Sequence, residues 1–145
     1  MKCFREHSLM AGYSKRSLVD KLGIKPGHRV YLGNKPGQYE KLLQPLPDGV
    51  VVLQTVKGSC DFIQFFAKQK SELLAAFPRL KKNLAVDGCL WISWPKGASK
   101  IPTDVNEHVV REIGLANGVV DVKVCAVDDI WSGLKFVFRL KDRAR

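Results

Sequence analysis

The segment Leu22–Gly37, with the sequence LGIKPGHRVYLGNKPG, constrains the fold of this chain more than any other. It places a helix-ending glycine, a Pro-Gly turn, a short apolar run and a glycine-containing loop in succession. The apolar run predicts a first strand at Arg29–Leu32, and the loop predicts the start of a helix. This order is typical of the first unit of a nucleotide-binding α/β domain. The candidate cofactor-binding residues in the loop are Gly33, Asn34, Lys35 and Gly37.

More strands and helices follow along the chain. Val50–Val56 is apolar and β-branched almost throughout, which predicts a strand buried on both faces. Further strands are expected at Asp61–Ala67, Cys89–Trp94, Val119–Val127 and Leu134–Leu140, and helices at Ser17–Leu22, Gly37–Leu43, Lys70–Leu84 and from Thr103 or Asp104 to Leu115. Pro78 lies inside the longest helix and predicts a kink or a break there.

The connection between the second and third strands is too short for the simplest parallel arrangement. Only about Lys57–Cys60 joins them, whereas a parallel crossover usually takes a dozen or more residues. Either the two strands pair as a hairpin or the link crosses the sheet in extended form. The sequence as a whole predicts one Rossmann-like α/β domain: a mostly parallel mixed sheet of about six strands, helices on both faces and a C-terminal β-hairpin.

Length and charge bound the organisation and the partners. The 145 residues suit one domain with one core. We expect a flexible leader at residues 1–12, the α/β domain at residues 13–140 and a basic tail at residues 141–145. The formal net charge of +10 favours nucleic acid or another anionic ligand as a partner. A basic surface that is simply solvated is the competing interpretation.

Cysteine and hydropathy patterns argue against several classes of protein. The cysteines Cys3, Cys60, Cys89 and Cys125 have neither CxxC spacing nor paired histidines nearby. We therefore expect buried free thiols and no metal site. No apolar run reaches the ~18 residues of a membrane span, and the first ten residues lack a signal-peptide core. The sequence predicts a cytoplasmic protein without a membrane partner.

Several segments between Met10 and Arg139 resemble a family of small bacterial proteins that is labelled a domain of unknown function. They are AGYS at residues 11–14, KLGIKPG at 21–27, WISWPK at 91–96, PTD at 102–104, VVREIGL at 109–115 and VDVKVCAVD at 120–128. The resemblance implies a bacterial protein and brings no assigned activity.

The order of elements also resembles, more distantly, that of class I S-adenosylmethionine-dependent methyltransferases. These enzymes pass from a sequence such as LGLKPG through a first strand into a Gly-x-Gly-x-Gly loop, and they end in a hairpin. Here Gly33 and Gly37 match the outer glycines, but Lys35 replaces the middle one and adds a positive charge beside a cationic cofactor. Gln54–Val56 supply no carboxylate for ribose hydroxyls, and one strand–helix unit is missing. These departures disfavour S-adenosylmethionine, so no cofactor is predicted.

Residues after the carboxyl ends of the strands form a candidate ligand site. In open α/β sheets, ligands bind outside these ends. The sequence predicts one pocket, with Lys35 at its rim, that is lined by Trp94, Lys96, Ser99, Asp128 and Trp131. No side chain stands in a nucleophile-elbow or triad-like context, so whether the protein is an enzyme stays open.

The function that the sequence favours is that of a non-catalytic or vestigial methyltransferase-like binding domain. Two alternatives stay open. One is an active group transferase with an altered cofactor loop, and the other is a basic nucleic-acid-associated protein. The changed cofactor loop favours the binding domain over the transferase, whereas a basic stripe on the folded surface would favour the nucleic-acid-associated protein.

Overall fold

The structure is a computed structural model and describes residues 17–143. Its helices are α1 (Leu18–Leu22), α2 (Tyr39–Leu42), α3 (Lys70–Lys82), α4 (Glu107–Ala116) and α5 (Leu140–Arg143). Its strands are β1 (Arg29–Gly33), β2 (Val51–Leu53), β3 (Cys60–Phe66), β4 (Leu84–Pro95), β5 (Val119–Ala126) and β6 (Trp131–Phe138). The expected leader at residues 1–12, residues 13–16 and the last two residues of the expected tail lie outside the described residues.

The six strands form one mixed sheet in the order β2-β1-β3-β4-β6-β5. β2, β1, β3 and β4 pair in parallel. β6 returns antiparallel to β4 and pairs with β5 as a C-terminal hairpin. The predicted α/β architecture is therefore confirmed, including the mostly parallel sheet and the terminal hairpin.

Helices cover both faces of the sheet and create two apolar clusters. On one face, α3 and α4 bury Leu73, Phe77 and Ile113 against β3, β4 and β6. On the other face, α1 and α2 bury Leu22 and Tyr39 against β1, β3 and β6. The central strand β3 contributes to both clusters, as expected for a strand with both faces buried.

Local sequence signals set the ends of α1. The Ser17 side chain accepts a hydrogen bond from the Asp20 backbone N–H and caps the start of the helix. Gly23 ends it in the left-handed region, with φ of 93°, where a side chain would be strained. Both signals are readable from the sequence, and both predictions are confirmed.

The second strand is not the buried element that its composition predicts. β2 contains only three residues and lies at the edge of the sheet, with Val51 half exposed. It does not pair with β3, because β1 lies between the two strands. Of the two alternatives for the β2–β3 link, the hairpin is wrong, and the link crosses from one side of β1 to the other.

Other element boundaries differ from those that the sequence predicts. α4 begins after Asn106, whose side chain accepts from the Val109 N–H, and not after Thr103 or Asp104. α3 runs through Pro78 as one helix, so the alternative of a break is wrong. β4 begins earlier than expected at Leu84, and β6 begins at Trp131, before the expected Leu134. Part of the expected tail forms α5.

The cysteines and the hydropathy of the helices complete the description. Cys60 and Cys89 are free and buried, as expected, but Cys125 is disulfide-bonded, which corrects the prediction for that thiol. Within residues 17–143, no helix has the length and apolar character needed to cross a bilayer.

Candidate functional site

The candidate site lies where the direction of the chain across the sheet reverses. From β1 the chain moves outward to β2, and from β3 it moves the opposite way to β4. The loops after β1 and β3 therefore diverge and leave a crevice at the carboxyl edge of the sheet, the edge at which the parallel strands end. Ligands of open α/β sheets bind at this type of switch point.

The crevice has a cavity volume of about 400 Å³ and an apolar floor. Phe66, the last residue of β3, and Trp131, the first residue of β6, form this floor. Their rings meet edge to face with centroids 5.0 Å apart, and both side chains are almost fully buried. The volume lies within the range of small-molecule sites, and an apolar floor with a polar rim is typical of them.

The polar rim is organised by one carboxylate. Glu72, in the first turn of α3, accepts a 2.9 Å hydrogen bond from Asn34 Nδ2 and a 3.4 Å one from the Lys68 backbone N–H. Asn34 Nδ2 also donates to the Phe66 carbonyl at 3.3 Å. Asn34 itself has a left-handed backbone with φ of 56°, a conformation that asparagine tolerates better than most residues. The loops after β1 and β3 are thus joined across the crevice.

The loop after β1 uses its two predicted glycines differently. A Cβ on Gly33 would lie 2.7 Å from Phe65 Cδ1 and 3.0 Å from Tyr31 Cε2, so this glycine is required by packing within the sheet. A Cβ on Gly37 would meet nothing within 4 Å. Lys35 lines the crevice, and its Nζ is 3.6 Å from Glu40 Oε1, so its charge is balanced locally.

A buried polar chain lies beneath the aromatic floor. The Tyr39 hydroxyl donates to Gln64 Oε1 at 2.7 Å, and Gln64 Nε2 donates to Ser93 Oγ at 3.0 Å. The Tyr39 ring also contacts Phe66 edge to face at 4.8 Å. Burial raises the pKa of Tyr39 well above its ordinary value, and the charge of Asp128 adds to the rise. These hydrogen bonds anchor α2, which also carries Glu40, to the centre of the sheet.

The two predicted tryptophans do not share one pocket. Trp131 lies in the apolar cluster beneath α1 and α2, whereas Trp94 lies in the cluster beneath α3 and α4. They belong to neighbouring strands, but Trp94 pairs with Ser132 and Pro95 pairs with Trp131. Because successive side chains of a strand alternate between faces, this register sends the two indoles to opposite sides of the sheet.

The remaining predicted ligand residues have structural roles. Asp128 Oδ1 accepts from the Ile130 and Trp131 backbone N–H groups, both at 2.8 Å, and so shapes the turn before β6. Ser99 Oγ donates to the Lys96 carbonyl at 2.7 Å within a short 3₁₀ turn. Of the predicted pocket, only Trp131 and Lys35 line the crevice. Sequence reasoning missed Glu72, although a carboxylate in the first turn after a central strand was a usable signal.

A larger cavity of about 530 Å³ lies elsewhere, between α4 and the outer strand β5. Its main charged groups already satisfy one another, because Arg111 bonds Glu107 at 2.6 Å and Asp121 at 2.9 Å. It is also remote from the strand ends at which α/β sheets bind ligands. We therefore place the candidate site in the smaller crevice between β1 and β3.

Solved structures with a similar fold include S-adenosylmethionine-dependent methyltransferases. A magnesium protoporphyrin IX methyltransferase from Synechocystis PCC 6803, solved with bound S-adenosylmethionine, matches with a TM-score of 0.59 at 14% identity, over 84% of this chain and 74% of that one. A methyltransferase from Aquifex aeolicus matches at 0.56 and 20% identity, over 82% and 86%. A pyocyanin biosynthetic protein matches at 0.62 and 12% identity, over 85% and 53%.

At the level of sequence, no protein-family profile and no functionally described protein matches the chain. The resemblance to a bacterial family of unknown function therefore stays unconfirmed. The structural matches establish that the chain has a class I methyltransferase-like fold.

Proposed function

We propose that this protein binds S-adenosylmethionine in the crevice between β1 and β3 and acts in methyl transfer. The observation that carries the proposal is the position of the crevice: it lies at the switch point of a methyltransferase-like sheet, with an apolar floor and a polar rim. The methyltransferase from Synechocystis that shares this fold holds the same compound.

The charges at the rim suit a cationic cofactor better than the sequence indicates. In the sequence, the main argument against S-adenosylmethionine is the positive charge of Lys35, which would repel the sulfonium group of the cofactor. Glu40 lies 3.6 Å from that ammonium, and Glu72 brings a second carboxylate to the crevice. The lysine therefore forms part of a balanced rim, and the objection loses most of its force.

Each group around the crevice has a definable task toward such a ligand. Glu72 would attract the cationic end, while Asn34 and the Lys68 N–H hold its carboxylate in place. Phe66 and Trp131 would exclude water beneath the ligand and contact its flat apolar parts. When bound, S-adenosylmethionine supplies an electrophilic methyl group. The residues Gln54 and Thr55, which follow β2, still provide no carboxylate for ribose hydroxyls.

A binding domain without methyl transfer is the second candidate, and one observation favours it. Both oxygens of Glu72 already accept hydrogen bonds. Tyr39 lies fully buried beneath the floor, with burial raising the pKa of its hydroxyl. Neither group is poised to take a proton from an acceptor substrate, as general-base catalysis requires.

Calorimetric titration with S-adenosylmethionine and S-adenosylhomocysteine tests the proposal. We expect saturable binding of S-adenosylmethionine, weakened about tenfold or more by Glu72→Ala, because hydrogen bonds to charged groups contribute about 1.5–3 kcal/mol. Glu112→Ala is the matched control, since this exposed glutamate pairs with His108 on α4. The absence of saturable binding would overturn the proposal. A second assay offers candidate acceptor molecules to the protein together with S-adenosylmethionine that carries a labelled methyl group. Binding of S-adenosylmethionine without transfer of the label to any acceptor would favour the second candidate.

A further inference from the structure

Within residues 17–143, the positive charge is not spread evenly over the surface. At the carboxyl edge, the lysines and carboxylates nearly match in number: Lys35, Lys41, Lys68, Lys70, Lys96 and Lys100 against Glu40, Glu72, Asp104, Asp128 and Asp129. The opposite edge, where the parallel strands begin, holds a surplus of cations. We call this edge the amino edge.

Three segments bring these cations together at the amino edge. They are Lys57 in the β2–β3 link, the last turn of α3 with Arg79, Lys81 and Lys82, and the C-terminal segment with Arg139, Lys141 and Arg143. We call these residues the basic cluster. Among residues 17–143, only Arg139 of this cluster forms an ion pair, with Asp142 at 3.1 Å.

Hydrogen bonds and close approaches make the three segments one continuous surface. Asn83, which ends α3, accepts from the Gly58 N–H through Oδ1 at 2.9 Å and from the Cys60 N–H through its carbonyl at 2.7 Å. Lys81 Nζ and Arg139 Nη2 lie 2.9 and 3.6 Å from the position of a Cβ on Gly118, which joins the last turn of α3 to the C-terminal segment. Two cations from different segments thus approach the same glycine.

Other local charges do not neutralise this surface. In the described part of the chain, the carboxylates near the amino edge are Asp48, Asp61, Asp87 and Asp142, four against the seven cations of the basic cluster, and Asp142 pairs with Arg139. The cations of the last α3 turn also suit the negative end of the helix dipole, but the dipole does not account for Lys57 or for the C-terminal segment. A surplus of positive charge drawn from three separate segments is typical of a surface that binds a polyanion.

We propose that the basic cluster binds the phosphate backbone of nucleic acid. A membrane fits less well, because α5 offers one strongly exposed apolar side chain, Leu140, within a four-residue helix. Among the residues of the cluster there is no aromatic side chain for stacking on bases. Binding therefore rests on ionic contacts with phosphates, tolerates any base sequence and weakens steeply as salt rises.

Fluorescence anisotropy with a short labelled DNA duplex and a single-stranded RNA of the same length tests this proposal. The test variant carries Lys81→Gln, Lys82→Gln and Lys141→Gln. The control carries Lys41→Gln, Lys96→Gln and Lys100→Gln, which removes the same charge from positions outside the cluster. We expect the test variant to lose at least tenfold in affinity at low salt. The slope of log K against log salt should decrease in magnitude by about 0.9 for each phosphate contact removed on the duplex, and by about 0.7 on the single strand.

Comparison of the two probes shows whether the protein prefers duplex DNA or single-stranded RNA. Binding to either one supports the proposal. An equal loss of affinity in the test and control variants would overturn it, because diffuse charge would then explain the binding. A lack of binding at low salt, or binding only to vesicles of anionic lipid, would also overturn it. The thermal unfolding of both variants checks that they remain folded.

Discussion

The Tyr39 hydroxyl donates a 2.7 Å hydrogen bond to Gln64 Oε1 in the interior, and this bond ties the four-residue helix α2 to the central strand. Tyr39→Phe removes the donor and leaves the buried amide oxygen without its partner. We expect a loss of about 1–3 kcal/mol in the free energy of unfolding, the usual cost of such a buried unsatisfied group. Urea unfolding measures it. Tyr31→Phe, at a half-buried tyrosine of β1, is the control and should change little.

The same residue predicts a dependence of stability on alkaline pH. Burial raises the pKa of Tyr39 in the folded protein above its ordinary value of 10.0. Above that pH the unfolded chain loses a proton that the folded protein keeps, so the free energy of unfolding falls as pH rises. The Tyr39→Phe variant lacks this contribution. Its stability deficit should therefore shrink above pH 10, and a constant deficit would contradict the assignment.

Substitution by alanine should affect stability differently at the two glycines of the loop after β1. Gly33→Ala places a methyl group against the buried Phe65 ring and should destabilise by about 1–3 kcal/mol, as overpacking does. A methyl group on Gly37 meets nothing, so Gly37→Ala should stay within about 0.5 kcal/mol of the parent. Chemical denaturation of the two variants checks the difference. Equal effects would show that Gly33 is not held by packing.

Helix α3 depends on a cap from a distant segment. Its own N-cap residue, Gln69, makes no capping hydrogen bond, whereas Asp104 Oδ1 accepts from the Lys70 N–H at 2.6 Å. Asp104→Ala should cost about 0.5–2 kcal/mol, the usual effect of losing a cap. Asp104→Asn keeps an acceptor oxygen and should cost less. Asp129→Ala, at an exposed carboxylate of the β5–β6 turn, is the control for removing a charge.

The free thiols should react only when the fold opens. Cys60 is fully buried and Cys89 nearly so, and burial raises the pKa of Cys89 to about 11. The reactive species is the thiolate, so alkylation of the native protein at about pH 8 should be slow at both positions. Peptide mapping by mass spectrometry locates the label. Labelling of Cys89 as fast in buffer as in urea would contradict the buried position.

The parts of the fold that were predictable are those fixed by local signals. The cap at Ser17, the left-handed glycine at Gly23 and the apolar strands β1, β3 and β4 all depend on neighbouring residues in the sequence. The prediction that β2 is buried on both faces was wrong, because an apolar run such as Val50–Val56 does not indicate whether a strand has one neighbouring strand or two. Its place at the edge follows from the whole sheet order.

The candidate site was predictable in location but not in composition. The switch-point rule points to the loop with Asn34 and Lys35 at the carboxyl edge, and both residues line the crevice there. The face of each side chain depends on the register of the hairpin, and the pairing of Pro95 with Trp131 places the two indoles on opposite sides. Thr103 and Asp104 looked like caps of α4, but their side chains bond to Lys68 and Lys70. Such contacts between distant segments are not encoded by spacing.

The separation of charge between the two edges of the sheet has a consequence for encounters in solution. A surplus of cations at one edge and a nearly balanced opposite edge give residues 17–143 an electric dipole moment along the strands. Near a polyanion, this dipole rotates the protein before contact, within a range of about 10 Å at 0.1 M salt. In the complex that we propose, the amino edge faces the polyanion and the mouth of the crevice faces the solvent. A small molecule can then enter or leave the crevice while the protein remains attached.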